Sequence, residues 1–421
     1  MLPLILTNLQ IFLERFAYFA FRALVVLVMF SSVSSDGFGF YDLQMRIILS
    51  VMMSILPIGV AVLTGRLCDG IGQTRATYIA LSFNMLAYVL FVVNRMSSDN
   101  PHFMLLMVTT VLLGIGSGLF FSASYGKIAQ CLKPKTAGIS LAFTIFAVNI
   151  ASAAAPIATS SFGSDGLSLI GCGFAMLATL VNFCLTAANK KCHRPVKPVH
   201  PQEPSISPED LEENEAVCVI PKKLPTQEVA TPKRPQLATL ILFIVILAIY
   251  NIDDGLRDSM GAVIGNVSGV DNITQLSIGI SLAAMLLIVP IAWVASHFKR
   301  KTALVAAMCL TCFGGLLASL SSIGELGIVG GVAGLFIALC GGNLYTVKLY
   351  EYFAINAPDD RKSTYMGLAR LPGLFGVFLP FFVLQGTSLS CTVSFGIGLI
   401  SIVIMALFLR KSVLNLDDFK V

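Results

Sequence analysis

The chain has 421 residues, of which 56% are hydrophobic and 12% are charged, and its mean hydropathy is +0.83. These values lie outside the usual range of water-soluble proteins and exclude a soluble enzyme. The formal net charge is +5. It resides mainly in short connections between apolar stretches, a placement that orients membrane helices and does not indicate nucleic-acid binding.

Twelve apolar stretches are long enough to cross a bilayer core of roughly 30 Å as helices. The first six are residues 9–31, 47–64, 77–93, 103–123, 137–158 and 167–187. The second six are residues 236–250 and a little beyond, 278–295, 302–320, 324–350, 365–384 and 391–409. Because these runs are long and continuous, they favour helices over the alternating strands of a barrel. The predicted fold is an all-α membrane protein with twelve transmembrane helices.

A polar segment separates the two sets of six stretches. It is rich in Pro, Lys and Glu and has little apolar periodicity, which predicts a disordered cytoplasmic linker. The predicted organisation is an N-terminal six-helix half (1–187), the linker (188–235), a C-terminal six-helix half (236–410) and a cytoplasmic tail (411–421). Two such halves are expected to pack around a central cavity.

The basic residues predict the orientation of the chain. Of the 28 Lys and Arg residues, 22 lie in the linker, the tail and the connections on the same side. The connections on the other side hold only Arg46, Arg95 and Arg257. Positively charged loops stay inside, so both termini are expected to be cytoplasmic. Glycosylation sequons at Asn266 and Asn272 then fall on the outer side, where their use depends on the host; the sequence does not select between plasma and organelle membranes.

The three remaining basic residues, Arg15, Arg22 and Arg370, lie inside predicted spans. Ionisable side chains at membrane depth are costly, so each is a candidate functional residue. Arg15, Tyr18 and Arg22 recur at i, i+3 and i+7 on one helical face, with Glu14 next to Tyr18 at i+4. A guanidinium can hold a carboxylate through two parallel hydrogen bonds, which favours a cavity role. The alternative is that Glu14 and Arg15 form a structural pair, while Arg22 extends towards the membrane surface.

The connection between the second and third stretches reads Gly65-Arg-Leu-Cys-Asp69-Gly-Ile-Gly72-Gln-Thr-Arg75. Glycine permits close approach of helix ends, and an aspartate near an arginine can form a charge network that breaks when two halves move. The segment resembles the major facilitator loop signature G-x-L-x-D-x-x-G-x-x-R. The resemblance implies a cytoplasmic gate at Gly65, Asp69, Gly72 and Arg75. The equivalent segment of the second half, SHFKRK, keeps the basic cluster but lacks the glycine and the aspartate.

The first stretch contains ERFAYFAFRAL at residues 14–24. It resembles the E-x-x-E-R-F-x-Y-Y-G-x-R motif of the proton-coupled oligopeptide transporter family. FTIFAVNIASAAAP at 143–156 and TVKLYEYFAINAP at 346–358 are similar to further stretches of that family. The resemblance implies a divergent major facilitator transporter in which the matching residues hold a solute carboxylate. Those residues are Glu14, Arg15, Tyr18 and Arg22.

Other functional positions of that family are replaced here. Its first glutamate falls on Ile11, its fourth-span lysine on Phe121, its seventh-span glutamate on Asn251 and its tenth-span glutamate near Leu335. The resemblance therefore implies that recognition of a peptide amino terminus and classical proton coupling are weakened. Asp253 and Asp254 either take over the acidic role or are solvated residues at a helix end; the sequence leaves both readings open.

The predicted function is secondary transport of a small polar or anionic organic solute, peptide-like or amino-acid-like, by alternating access. The expected midplane cavity is lined by Arg15, Tyr18, Arg22, Asn149, Asn251 and Asn343. Proton symport and facilitated transport both remain open. The alternative from another class is a transport-inactive receptor or scaffold of the same fold.

An enzyme is not expected, because the four histidines are dispersed and no nucleophile-base arrangement is present. No cofactor and no metal site are predicted. The expected partners are the small-molecule solute, protons if transport is coupled, and the lipid bilayer. Nucleic acid is not an expected partner, and we expect a monomer.

Overall fold

The computed structural model is all-helical, with no strand in the residues that it describes, which are 2–30, 43–96, 102–133, 135–160, 167–192, 241, 243–250, 273–322, 327–374 and 388–411. The all-α prediction is confirmed. The first six helices are α1 (Leu2–Phe30), α2 (Leu43–Ile71), α3 (Gln73–Met96), α4 (Phe103–Cys131), α5 (Ala137–Ser160) and α6 (Leu167–Cys192). The others are α7 (243–250), α8 (Ile273–Ala295), α9 (Arg300–Ser322), α10 (Gly327–Asn356), α11 (Lys362–Leu368) and α12 (Ser388–Lys411).

Within these ranges, eight helices are long and apolar enough to cross a membrane. Many of their large apolar side chains point away from the protein, and Leu63, Met104 and Val329 are each more than three-quarters exposed. Such exposure is the reverse of a soluble core and matches a lipid-facing surface. The four predicted loop and cavity residues Asn251, Asp253, Asp254 and Arg257 and both sequons lie outside the described residues.

Several helices continue past the apolar stretches seen in the sequence. α4 extends to Cys131, and Lys127, predicted in a connection, is buried within it and donates to the Thr77 hydroxyl at 3.1 Å. α6 continues to Cys192, beyond the predicted boundary at residue 187, and the Asn189 amide donates to Thr7 at 3.0 Å. These hydrogen bonds join the extended ends of α4 and α6 to α3 and α1.

The two sets of helices pack on themselves and on each other. In the N-terminal set, α1 packs on α4, α5 and α6, and α2 packs on α4. In the C-terminal set, α10 packs on α8 and α9, and α12 packs on α9. Contacts between the sets join α5 to α8 and α10, and α11 to α2 and α4. We call the end of the bundle at which α2, α4 and α10 end and α5 and α11 begin the α2–α3 end.

Small residues bring α9 and α10 together. A Cβ atom added at Gly334 would lie 2.6 Å from the Ala318 backbone nitrogen. One added at Gly341 would lie 2.6 Å from the Thr311 backbone nitrogen. Close backbone contact of this kind supplies van der Waals packing where lipid removes the hydrophobic drive for association.

A buried polar network joins α1 to α6. The Gln10 amide donates to the Thr186 hydroxyl at 2.6 Å, and the Asn189 amide donates to Gln10 Oε1 at 3.1 Å. The Asn182 amide donates to the Gln10 carbonyl at 2.9 Å. Because these bonds replace water inside an apolar environment, they fix the position of α1 against α6.

Candidate functional site

Glu14 and Arg15 form a buried ion pair. Arg15 Nε donates to Glu14 Oε2 at 2.6 Å, and Nη2 donates to Glu14 Oε1 at 3.1 Å. Nη2 also donates to the Ser117 hydroxyl on α4 at 2.5 Å. Both side chains are more than nine-tenths buried. The Arg15 charge is therefore neutralised inside the N-terminal helices. This contact corresponds to the structural Glu14–Arg15 pair that the sequence analysis gives as the alternative to a cavity role.

Tyr18 and Arg22 continue the same face of α1 towards α2. The Tyr18 hydroxyl donates to the Met53 carbonyl, and the Arg15 guanidinium lies 5.2 Å above the Tyr18 ring. Arg22 is half-buried, and its Nη2 donates to the Ser54 hydroxyl at 3.2 Å. Ion pairs among the described residues do not include Arg22. Its charge thus stays uncompensated by any described carboxylate.

Asn149 and Asn343 meet across the two sets of helices. The Asn149 amide on α5 donates to Asn343 Oδ1 on α10 at 3.1 Å. Both residues lie near the middle of their helices and are partly exposed. The structure therefore brings these two predicted cavity residues into contact near the middle of both helices.

An aromatic cluster that contacts a guanidinium lies nearer the α2–α3 end than the Asn149–Asn343 hydrogen bond. We define the aromatic cluster as Phe121 and Tyr125 of α4 and Tyr350 of α10. Phe121 and Tyr125 stack with centroids 4.0 Å apart, and Tyr125 meets Tyr350 edge-on at 5.4 Å. Arg370, which follows α11, places its guanidinium 4.2 Å above the Phe121 ring. All three rings are buried, so α4, α10 and the segment after α11 interlock at this point.

The sequence places Arg370 near the start of the eleventh predicted span, where extension of its side chain towards the membrane surface explains its charge. Arg370 is half-buried and has no carboxylate partner in the part of the chain that the structure describes. The ring on which it lies, Phe121, is one helical turn along α4 from Ser117, whose hydroxyl accepts from Arg15. The position of Arg370 inside a span was the only sequence signal, and its partner ring lies almost 250 residues earlier in the chain.

Asp69 joins α2 to the start of α11 at the α2–α3 end. Its carboxylate accepts hydrogen bonds from the Ser363 backbone N–H at 2.9 Å and the Thr364 backbone N–H at 2.8 Å. It also accepts from the Thr364 hydroxyl at 2.7 Å. A carboxylate satisfies free N–H groups in the first turn of a helix and interacts favourably with its dipole. We call this arrangement the α2–α11 contact.

The glycines of the predicted loop make the α2–α11 contact possible. A Cβ atom added at Gly65 would lie 2.7 Å from both the Ser363 carbonyl oxygen and the Thr364 Cα. Gly72 forms the one-residue turn between α2 and α3 with a φ of 87°, a left-handed conformation that favours glycine. Arg75 is exposed and forms no ion pair with Asp69. The described partners of Asp69 are thus in α11 and not in its own loop.

A second charged group lies at the same end. Glu351 of α10 is buried and pairs with Arg300 at 2.9 Å and with Lys348 at 2.8 Å. A Cβ atom added at Gly138, in the first turn of α5, would lie 2.9 Å from Glu351 Oε2. The carboxylate therefore lies against the positive end of the α5 dipole. Arg300 belongs to the basic cluster of the second-half loop, so that loop still joins a charge network.

These contacts divide the interior by charge. The buried carboxylates described, Glu14 and Glu351, are each paired with basic residues. The guanidiniums of Arg22 and Arg370 are not paired with a described carboxylate. Asn149 and Asn343 are the predicted cavity residues that join the two sets of helices by a hydrogen bond.

Comparison with solved structures identifies the architecture. The human organic anion transporter MFSD10 (TETRAN) is 16% identical, with 96% of this chain and 98% of that chain covered and a TM-score of 0.71. A bacterial homologue of the iron transporter ferroportin, in an outward-facing state, is 10% identical, with 96% and 100% covered and a TM-score of 0.71. The proton:xylose symporter XylE, bound to 6-bromo-6-deoxy-D-glucose, is 12% identical, with 96% and 95% covered and a TM-score of 0.70. At these identities the likeness shows the fold alone.

The sequence itself shows the family. No relative among curated proteins matches the chain. Residues 9–379 match the family model described as Major Facilitator Superfamily, which covers most of the 421 residues and agrees with the helical architecture. The chain therefore belongs to the major facilitator superfamily and is a membrane transporter, not an enzyme.

Proposed function

We propose that the protein is a secondary transporter of a small anionic organic solute, amino-acid-like or peptide-like, that works by alternating access. One observation carries the proposal. Arg22, the last residue of the first candidate membrane span, and Arg370 have no carboxylate partner among the described residues, whereas Glu14 and Glu351 are already paired. The described interior therefore has an excess of positive charge, which an anionic solute would neutralise.

The free-energy cost of an unpaired guanidinium in a bilayer favours an anionic solute. A charged side chain near the centre of a bilayer costs about 2.5–3.5 kcal/mol even with partial hydration. A carboxylate accepts two parallel hydrogen bonds from a guanidinium, and this geometry offsets much of that cost. Among the described residues, Arg22 donates one side-chain hydrogen bond, to Ser54. Its other donors have no partner in the described part of the chain, which favours a carboxylate as the ligand over a sugar or a cation.

The contacts at the α2–α3 end support alternating access. Asp69 binds two backbone N–H groups of α11, and the aromatic cluster joins α4 to α10. Both contacts run between the N-terminal and C-terminal helices. A transporter that opens at this end has to break them, and a set of directional hydrogen bonds of this kind can be re-formed in each cycle.

Two features favour transport without classical proton coupling. Ile11, where the resemblance to oligopeptide transporters expects an acid, is fully buried in an apolar cluster. Phe121, where it expects a lysine, contributes an aromatic ring. The same first-span resemblance supports a carboxylate-bearing, peptide-like solute. Of the solved structures with this fold, one is an organic anion transporter and another is a proton:xylose symporter, so coupling depends on the interior residues.

Uptake into liposomes tests the proposal. Purified protein in phosphatidylcholine vesicles is supplied with labelled acetate, benzoate, succinate, alanine, alanylalanine or choline, with and without an inward proton gradient. We expect uptake of anionic solutes without the gradient, and loss of at least tenfold in kcat/KM in Arg22→Gln. Arg66→Gln, which removes an exposed guanidinium, is the matched control and should transport normally.

Four results would count against the proposal. Selective uptake of choline would overturn the anionic class, and uptake that requires the proton gradient would overturn the uncoupled mode. Failure of a well-folded protein to transport any panel member would favour the receptor or scaffold function instead. Equal transport by Arg22→Gln and the wild type would remove Arg22 from the site.

A further inference from the structure

The described partner of the Arg370 guanidinium is an aromatic ring, that of Phe121, and not a carboxylate. The guanidinium lies 4.2 Å above the ring. A cation–π contact attracts the charge but does not neutralise it, and an aromatic face accepts no strong hydrogen bond. Arg370 therefore keeps its full charge while it holds the segment after α11 against α4, and no hydrogen bond from its guanidinium is seen to the residues that the structure describes.

The aromatic cluster connects the Arg370–Phe121 contact to both sets of helices. Phe121 stacks on Tyr125 of the same helix, and both rings meet Tyr350 of α10, at 6.1 Å and 5.4 Å. A Cβ atom added at Gly126, one turn further along α4, would meet the Ser363 hydroxyl of α11. The cation–π contact thus adjoins the surface on which α11 packs against the N-terminal helices.

Arg370 also lies near the predicted solute-binding residues. Its partner ring, Phe121, is one helical turn along α4 from Ser117, whose hydroxyl accepts from Arg15. The Arg15 guanidinium lies 5.2 Å above the Tyr18 ring, and Arg22 follows Tyr18 one turn later on α1. An anionic group bound in this region would gain from the charges of both Arg22 and Arg370.

We infer that Arg370 is a second solute contact, held over the Phe121 ring in the arrangement described here and drawn away from it by the anionic group of the solute. This inference rests on the proposed function. A carboxylate binds a guanidinium more strongly than an aromatic face does, because it supplies charge and two acceptors. The solute and Phe121 compete for Arg370, so the solute favours the conformation in which the α4 contact is released. Phe121 consequently sets the apparent affinity of the site.

The test is a double-mutant cycle on uptake into phosphatidylcholine liposomes, which contain no anionic lipid. The probe is whichever of acetate, benzoate and succinate the wild type takes up fastest. Phe121→Leu removes the ring face and is expected to lower KM about fivefold, because Arg370 no longer has a competing partner. Arg370→Gln is expected to raise KM more than tenfold, and Arg370→Lys should raise it less. The Phe121→Leu/Arg370→Gln variant should have the KM of Arg370→Gln alone.

The control is Phe143→Leu, since Phe143 is a half-exposed phenylalanine on α5 outside the aromatic cluster. It should leave KM unchanged, and unfolding temperatures of all variants verify folding. The inference is overturned if Arg370→Gln keeps KM within twofold of the wild type while Arg22→Gln loses uptake, a result that leaves the proposed function standing. It is also overturned if Phe121→Leu lowers KM equally in the Arg370→Gln background, because Phe121 would then act through packing. Absence of uptake of every anion by the wild type would defeat the proposed function and this inference together.

Discussion

Asp69→Asn should open the α2–α3 end. The carboxylate accepts three hydrogen bonds from Ser363 and Thr364, at 2.7 to 2.9 Å. An asparagine side chain offers only one acceptor oxygen, and its NH₂ group would face N–H donors. The variant therefore loses the negative charge and at least one of the bonds to the first turn of α11.

The expected magnitude follows from those losses. A hydrogen bond to a charged group contributes about 1.5–3 kcal/mol, and the charge at a helix N-terminus adds about 0.3–1 kcal/mol. Because Asp69 is partly exposed, water replaces some of this on opening. A net loss of about 2–3 kcal/mol would shift the equilibrium towards the open conformation by roughly 30- to 150-fold.

Double electron–electron resonance measures that shift directly. Nitroxide labels at Lys133 and Lys299 place one probe on each set of helices, at exposed positions near the α2–α3 end. We expect a longer distance to become the main population in Asp69→Asn. Asp360→Asn, which removes an exposed carboxylate at the same end, should keep the wild-type distribution. An Asp69→Asn distribution identical to the wild type would show that the α2–α11 contact does not control opening.

Three further predictions concern neighbouring groups. Gly65→Ala should separate α2 from α11, since its Cβ would meet backbone atoms at 2.7 Å; the same labels should report a longer distance, whereas Gly70→Ala, which has open space around it, should not. Glu351→Gln leaves the buried Lys348 with a weaker partner and should lower the free energy of unfolding by about 2–4 kcal/mol, measured by thermal unfolding in detergent, with the exposed Asp359→Asn unchanged as control. Arg15→Gln should lower the unfolding temperature by several degrees because it leaves Glu14 buried without its cation, while Arg22→Gln should keep the wild-type unfolding temperature; equal loss in both would contradict the separation of structural and solute-binding roles.

Helix spacing predicted part of the candidate site and missed the rest for a definable reason. Periodicity places Arg15, Tyr18 and Arg22 on one face, and the structure has all three on the side of α1 that meets α2 and α4. Periodicity does not show how far a long side chain reaches. Arg15 turns to the adjacent Glu14 and is neutralised there, so one face of α1 carries both a structural ion pair and the proposed solute contact Arg22.

Sequence patterns do not reveal a contact in which a charged side chain binds backbone N–H groups or the face of an aromatic ring. The gate motif identified Asp69, but the backbone N–H groups that it binds belong to every residue, so Ser363 and Thr364 could not be singled out. From the sequence, Phe121 is identified only as a phenylalanine at the position where the oligopeptide transporter family has a lysine. Its role as the platform for Arg370 depends on tertiary packing between distant helices.

The buried polar network of α1 bears on how the chain is made. Arg15 bonds to Ser117, 102 residues later, and Gln10 bonds to Thr186, 176 residues later. At a synthesis rate of about 5–20 residues per second, these partners appear roughly 5 to 35 s after α1 has left the ribosome. Bare lipid would be a costly environment for Gln10, Glu14 and Arg15 during that interval. α1 is therefore expected to stay in contact with the insertion machinery until α4 and α6 have been synthesised.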